Sequence, residues 1–281
     1  MEKTINFVGR HPHLIIFLLA AVLTLIFKWP FYMLLLFYLA YGILMYIIHL
    51  PTALGMTGYF IDAFLRNQKA AIPLYRYAAN HGSKNVYGLL AYGLYLLRSC
   101  HYEEALKVFE YILCLPDTRS MLIKYARQDF AIALWKNGRI QDAISTMEQM
   151  LTDYEYFSID FYTTLGYFYI EAGDYEKAAF YTNKALDENE THGPAYDNLG
   201  QIEFRKGNYD EAKNLLLKAL DLRETMADSK YYLGLIYEIV GDYETARDFF
   251  IAAHECEITG MNTVERETID AKYYEYIDSS H

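Results

Sequence analysis

A period of 34 residues constrains this chain more than any other feature of its sequence. Gly166, Gly200 and Gly234 are spaced by 34, as are Gly173, Gly207 and Gly241, and Tyr175, Tyr209 and Tyr243. The same register holds for Leu165, Leu199 and Leu233, for Ala178, Ala212 and Ala246, and for Ala185, Ala219 and Ala253. A fixed period of this length means stacked supersecondary units, each burying its apolar face against the next. Within each unit apolar residues recur at helical spacing on both sides of a short turn. The turns are Gly173-Asp174-Tyr175-Glu176, Gly207-Asn208-Tyr209-Asp210 and Gly241-Asp242-Tyr243-Glu244. Glycine takes the left-handed conformation that ends one helix. Asp or Asn opens the next, with acids in its first turn. Small residues such as Gly200 and Ala212 let the paired helices approach closely, and the tyrosines are expected to fill the wedge between helices.

This pattern resembles the tetratricopeptide repeat family, in which Leu-Gly, a later Gly-x-Tyr and two alanines mark a helix–turn–helix unit. The resemblance implies an all-α, right-handed helical solenoid. Three clear copies span 159–192, 193–226 and 227–260. Two weaker copies precede them. Residues 124–157 keep Ala131, Gly138 and Ala143 but put Ile140 where Tyr is expected. Residues 86–119 keep Gly93, Tyr102, Ala105 and Phe109, with Cys100 at the turn glycine. The family's closing proline is missing from the clear copies, and only Pro116 lies near its place in the first. Residues 52–85 read as a degenerate unit, with Ala71, Tyr75 and Ala78 imitating a second helix and a first helix near 56–66. After residue 260, Asn262-Thr263-Val264-Glu265 fits a capping box opening a last helix to about Tyr276, so that 261–281 caps the stack.

The N-terminal part reads differently. Beyond a short flank at 1–13, two apolar blocks at 14–27 and 31–48 are broken by Lys28-Trp29-Pro30. No small-residue cleavage site follows the first block, so a removed signal peptide is not expected. The second block with its flanks is long enough to cross a bilayer, whereas the first, counted from Pro12 to Trp29, reaches about 27 Å. Pro30 disfavours one unbroken helix, so the expectation is a transmembrane helical hairpin over 14–50. Lys3 and Arg10 before it, and Arg66, Lys69 and Arg76 after it, outnumber Lys28 in the turn. The positive-inside bias then places the repeats in the cytoplasm, as part of a multi-pass integral membrane protein. A re-entrant hairpin gives the same sidedness, and a single crossing with the repeats outside is the competing reading.

Charge and chemistry exclude several functions. Glu2, Lys3, Arg10 and Lys28 give the segment before Pro51 a charge of +2, which leaves −13 for the remainder of a chain with net charge −11. An acidic soluble part lacks the positive face that phosphate binding needs, so a nucleic-acid partner is not expected. Cys100, Cys114 and Cys256 are too few and too scattered for a disulfide framework or a paired-cysteine zinc site. His11-Pro12-His13 offers two imidazoles where a metal needs three or four ligands. The sequence contains no phosphate loop, dinucleotide fingerprint, His-Glu-x-x-His or nucleophile elbow. Neither cofactor, metal nor catalysis is expected.

A repeat stack does offer a concave surface lined by the first helix of each unit. The family resemblance implies that repeat positions 2, 5, 9, 12 and 13 face it. Position 12 gives Leu97, Trp135, Ile170, Phe204 and Glu238; position 9 gives Leu94, Ile132, Tyr167, Gln201 and Leu235. Position 13 gives Arg98, Lys136, Glu171, Arg205 and Ile239. An apolar and aromatic stripe flanked by cations suits an amphipathic helix or an extended peptide carrying acids. The same residues equally suit packing against neighbouring helices or a sister chain. Family members that clamp a C-terminal carboxylate use Lys, Asn, Asn, Lys and Arg at set positions. Here Asn198 alone matches, with Gln128, Thr163, Ile132, Tyr167, Asp228 and Tyr232 elsewhere, so that specificity is not expected.

The expected function is a membrane-anchored scaffold or adaptor that holds a protein or peptide partner in its groove, with the bilayer engaged through residues 14–50. A non-catalytic assembly subunit of a membrane enzyme or transporter complex, using the hairpin as interface, is the alternative.

Overall fold

The structure, a computed structural model, describes residues 30–116 and 120–278, together with the isolated positions 22 and 28. The flank at 1–13 with its two histidines, the first arm of the expected hairpin and the last three residues lie outside the described residues. Two compact units divide the chain at Asn85 and Val86.

In the first unit, α1 (Phe31–Ile48), α2 (Leu50–Leu65) and α3 (Gln68–Asn80) follow one another closely. The sequence reads α1 as running on through His49-Leu50; instead the axis turns by 77° between α1 and α2. Pro51 explains the break. It lacks an amide proton, which costs nothing in the first turn of a new helix but would remove a bond inside a continuous one. The helix expected near 56–66 accordingly begins at Leu50, directly after the apolar segment. Among the described residues no single helix is long and apolar enough to cross a membrane; α1 and α2 meet the length and composition only as a bent pair. The side chains of α1 are apolar on all sides and open, with Leu35 and Leu39 61% exposed and Ile47 59%. Helices α2 and α3 pack through Gly55, which faces Ala78 and Ser83, and Gly58, which faces the Tyr75 ring. Ala71, Tyr75 and Ala78 form the buried side of α3, and the Tyr75 hydroxyl donates to Asp62 at 3.2 Å.

In the second unit the helices come in pairs. These are α4 (Val86–Arg98) with α5 (Tyr102–Leu113), and α6 (Ser120–Lys136) with α7 (Ile140–Asp153). Next come α8 (Ile159–Ala172) with α9 (Tyr175–Glu188), and α10 (Gly193–Lys206) with α11 (Tyr209–Leu222). Last are α12 (Ala227–Ile239) with α13 (Tyr243–His254), followed by α14 (Arg266–Asp278). Each helix packs on its partner, and each second helix packs on the first helix of the next pair. First helices also touch across pairs, at α4 with α6, α8 with α10 and α10 with α12, which makes them the inner layer.

The repeated residues account for this geometry. At the Leu-Gly column, a Cβ at Gly93 would sit 2.6 Å from the Phe109 ring, and one at Gly234 would sit 2.6 Å from the Phe250 ring. Only hydrogen lets the paired helices close on those aromatics. At the turn column Gly138, Gly173, Gly207 and Gly241 have φ between 76° and 84°. Cys100 holds the same left-handed conformation with φ 60°, which costs a side-chain-bearing residue roughly 1–2 kcal/mol. Asp174 and Asp242 cap the following helices by accepting the Lys177 and Thr245 amides at 3.0 and 3.1 Å. Asn208 does not cap; its amide donates to Glu203 at 2.7 Å. Tyr175 and Tyr209 are half-buried as wedges, whereas Tyr243 is 63% exposed because no further repeat follows it.

The end of the solenoid departs from expectation. Helix α14 opens at Arg266, not at Asn262, and the four residues expected as its capping box lie in an irregular segment. The Asn262 side chain is engaged elsewhere. It donates to Asp228 at 3.4 Å and accepts the Thr259 amide at 2.9 Å. The Glu265 carbonyl accepts the Thr268 and Ile269 amides in the first turn of α14.

Candidate binding groove

The inner layer is occupied by the chain itself. After α13 the backbone runs through residues 255–265 over the first helices before it re-enters α14. At the α4 end, Gly260 donates its amide to the Arg98 carbonyl at 2.9 Å. At α6, the Lys136 ammonium donates to the Asn262 carbonyl at 2.7 Å. At α10, Gln201 donates to the Thr263 hydroxyl at 3.4 Å. At α12, Asp228 accepts the Thr263 amide at 3.2 Å and the Val264 amide at 2.9 Å. Gly260 and Val264 are four residues apart, a reach of at most roughly 14 Å. The first and last repeats therefore face each other across a groove that this short run of turn and bend residues spans.

Two cavities share walls with this segment. One, of about 900 Å³, is lined by Arg98, Ile132, Trp135, Tyr167 and Asn198 from the expected stripe, together with Met261 and Asn262. The other, of about 740 Å³, is lined by Trp135, Lys136, Phe204, Arg205 and Leu235, facing Thr263 and Val264. Trp135 and Tyr167 border both, with their rings edge to face at 5.1 Å. The Lys136 ammonium lies 4.1 Å over the Trp135 ring.

Three of the sequence-derived residues play other parts. Leu97 is fully buried and presents only its carbonyl to Gly260, Ile170 is fully buried in the core, and Leu94 is half-buried away from both cavities. Asn198 lines the groove, but its amide is used in a tie between repeats, donating to the Thr163 carbonyl at 2.8 Å. Arg205 pairs with Glu171 of the preceding first helix. The cationic flank is thus already engaged: Lys136 with the chain's own segment, Arg205 with its neighbour.

The groove floor also holds polar groups that the apolar stripe did not anticipate. Asp197 and Ser229 are buried side by side, with the Ser229 hydroxyl donating to Asp197 and the Gln201 amide donating to the other oxygen at 2.7 Å. Burial, with the Asp228 charge adding, pushes the Asp197 carboxyl up to about 7. Burial pushes Asp228 up as well, opposed by the Val264 and Thr263 amides. Desolvation lowers Lys136, opposed by Glu265 and Asp228. Asp197 and Asp228 occupy repeat positions 5 and 2, so the rule that finds groove residues could have found both. The segment over them carried no such signal.

Two family models described as tetratricopeptide repeat match residues 129–192 and 169–236. No curated protein matches the chain. Among solved structures, TTC0263, a thermophilic TPR protein of Thermus thermophilus, aligns with TM-score 0.56 at 19% identity, over 68% of this chain and 98% of that one. MamA AMB-1 aligns with TM-score 0.43 at 23% identity, over 59% of this chain and 96% of that one. YrrB, described as a TPR protein with an unusual peptide-binding site, aligns with TM-score 0.41 at 16% identity, over 73% and 97%.

Proposed function

The chain is a tetratricopeptide-repeat protein, and on that premise we propose that it is a membrane-tethered, non-catalytic scaffold whose concave groove holds an extended segment of a partner protein. One observation carries the reading: the inner face already holds a short peptide segment, a turn followed by bends, through polar contacts from α4, α6, α10 and α12. A surface that satisfies the polar groups of one peptide segment has donors and acceptors to offer another.

The tether rests on the apolar segment at 14–50, of which α1 is the described part. Its exposed leucines and isoleucines leave a helix with no polar face, which suits a lipid environment. The turn into α2 is followed by Arg66, Lys69 and Arg76, cations that suit the cytoplasmic headgroup layer and support a cytoplasmic side for the repeats. The −13 charge of the remainder favours its standing off an anionic surface. Tethering raises local concentration, so modest groove affinity suffices for partners in the same bilayer.

The test is site-directed photocrosslinking in native membranes. A photoreactive residue at Phe204 in the groove is expected to capture defined partners, and one at exposed Phe180 on α9 to capture none of them. Trp135→Ala with Phe204→Ala is expected to abolish capture. Identical partners from both positions, or capture untouched by the double substitution, would remove the groove from the function. Replacement of residues 14–50 by an unrelated anchor should leave capture intact; its loss would favour the assembly-subunit reading.

A further inference from the structure

The cations of the groove stripe suit an acidic peptide when read from the sequence, but in the folded chain they are engaged by the chain itself. Lys136 donates to the Asn262 carbonyl, Arg205 pairs with Glu171, and Arg98 offsets the burial of Asp129. Deeper in the groove the charge has the opposite sign. Asp197, 4% exposed, and half-buried Asp228 both line the cavity of about 900 Å³, together with Trp135 and Tyr167. Asp197 accepts the Ser229 hydroxyl and the Gln201 amide. Asp228 accepts the Thr263 and Val264 amides and the Asn262 side chain. All of these donors are neutral, and among the described residues neither carboxylate forms an ion pair. Gln201 adds a third acceptor beside Asp197: it is fully buried, and its Oε1 has no hydrogen-bond partner among the described residues.

We infer that the groove reads a basic segment of its partner protein, seating a lysine or arginine side chain against Asp197 and Asp228 with its stem along Trp135 and Tyr167. This inference rests on the scaffold reading above and gives the partner's charge a sign.

A carboxylate removed from water without a cation is destabilised, and an arriving cation supplies the missing counter-charge. Lysine and arginine carry donors and no acceptor, which matches a floor made of two carboxylates and the Gln201 oxygen. The wall suits the same group. The Lys136 ammonium already lies 4.1 Å over the Trp135 ring, an attraction that a cation gains from an aromatic face. Other cations do not fill the place. Arg98 and Arg223 line the cavity but are exposed, where salt screens them, and the Lys230 ammonium is directed to the Cys256 sulfur at 3.5 Å. Glu224, Glu255 and Glu257 line it too, so carboxylates outnumber cations around the opening. A volume of about 900 Å³ lies within the roughly 300–1,000 Å³ of ligand pockets, so a side chain enters with residues 259–264 left where they are.

The experiment uses the full chain in detergent and three fluorescent peptides of one Gly/Ser/Ala frame, carrying lysine, glutamine or glutamate at the same alternate positions. Anisotropy at near-physiological salt is expected to show the lysine peptide binding at least about tenfold more tightly than the glutamate peptide. Asp197→Asn with Asp228→Asn retains the shape of the floor and should erase that difference. Asp197→Asn alone should reduce it, and guards against loosening of the 259–264 segment in the double variant. Glu176→Gln with Glu244→Gln removes as much charge from the exposed first turns of α9 and α13 and should leave the difference intact. A glutamate peptide that binds as tightly as the lysine peptide overturns the inference. So does a lysine advantage that survives in both floor variants, or no binding of the lysine peptide at about 1 mM. The photoprobe at Phe204 separates this from the scaffold reading. If it captures the same partners in wild type and floor variants while no peptide shows a charge preference, the basic ligand is wrong and the scaffold stands. If neither partner nor peptide is held, both fail.

Discussion

Gly260 donates its amide to the Arg98 carbonyl, joining the end of the last repeat to the first across the concave face of the solenoid. A methyl group at 260 would strike the adjoining Leu97 carbonyl. Gly260→Ala should therefore loosen residues 259–264 and cost about 1–3 kcal/mol, the worth of one or two buried hydrogen bonds and the packing around them. Denaturant melts give the stability, and hydrogen exchange should show faster amides at 260, 263 and 264 while α10 and α12 stay protected. Unchanged exchange at those three amides would contradict the contact.

The Asp197 carboxyl predicts a pH dependence of definite sign. Its folded value near 7 lies above the ordinary 3.8, so the folded chain holds this proton more tightly than the unfolded chain. Its contribution to stability is whole below about 3.8, falls as pH rises, and is gone above about 7. Asp228 shifts in the same direction and adds to the trend, whereas Glu203, lowered by Asn208 and Lys206, opposes it at the acid end. The melting temperature should decline between pH 5 and 7.5, and Asp197→Asn should flatten that decline. An identical slope in the variant would show that Asp197 is not its source.

Cys100 is the repeat-turn residue that pays for a left-handed backbone with a side chain. Cys100→Gly should stabilise the chain by about 0.5–1 kcal/mol, the relief of backbone strain less the extra entropy of an unfolded glycine. The reverse change, Gly207→Ala, should destabilise by about 1 kcal/mol. Paired thermal melts suffice, and a Cys100→Gly protein less stable than its parent would contradict the strain.

Helix α1 predicts a partition measurement. A charged residue near the middle of a membrane helix costs about 2.5–3.5 kcal/mol on insertion. Leu35→Asp with Leu39→Asp should reduce the share of protein that floats with vesicles. Flotation equal to wild type would exclude α1 from the anchor.

Much of the solenoid is legible in residues that act locally. Gly173, Gly207 and Gly241 end helices through a conformation other residues resist, and Asp174 and Asp242 start them through side-chain caps. The Leu-Gly column reports how closely two helices must approach. Such signals repeat because the same local problem repeats every 34 residues. Of the fifteen residues at positions 9, 12 and 13 of that register, nine line one or the other cavity, from Arg98 to Leu235. Asn208 shows the limit even here, since a residue suited to capping found a better partner in Glu203.

The sequence by itself thus determined the repeat and its turns, because each is a property of residue type at fixed spacing. Tertiary structure alone decided the rest. That Asp228 would accept the Thr263 and Val264 amides, and that Lys136 would take the Asn262 carbonyl, depends on peptide groups common to every residue. Main-chain hydrogen bonds leave no mark in side-chain chemistry, so a segment held through them is invisible until the chain is folded. Gly260 is the exception, since the missing side chain marks how closely this turn passes the wall.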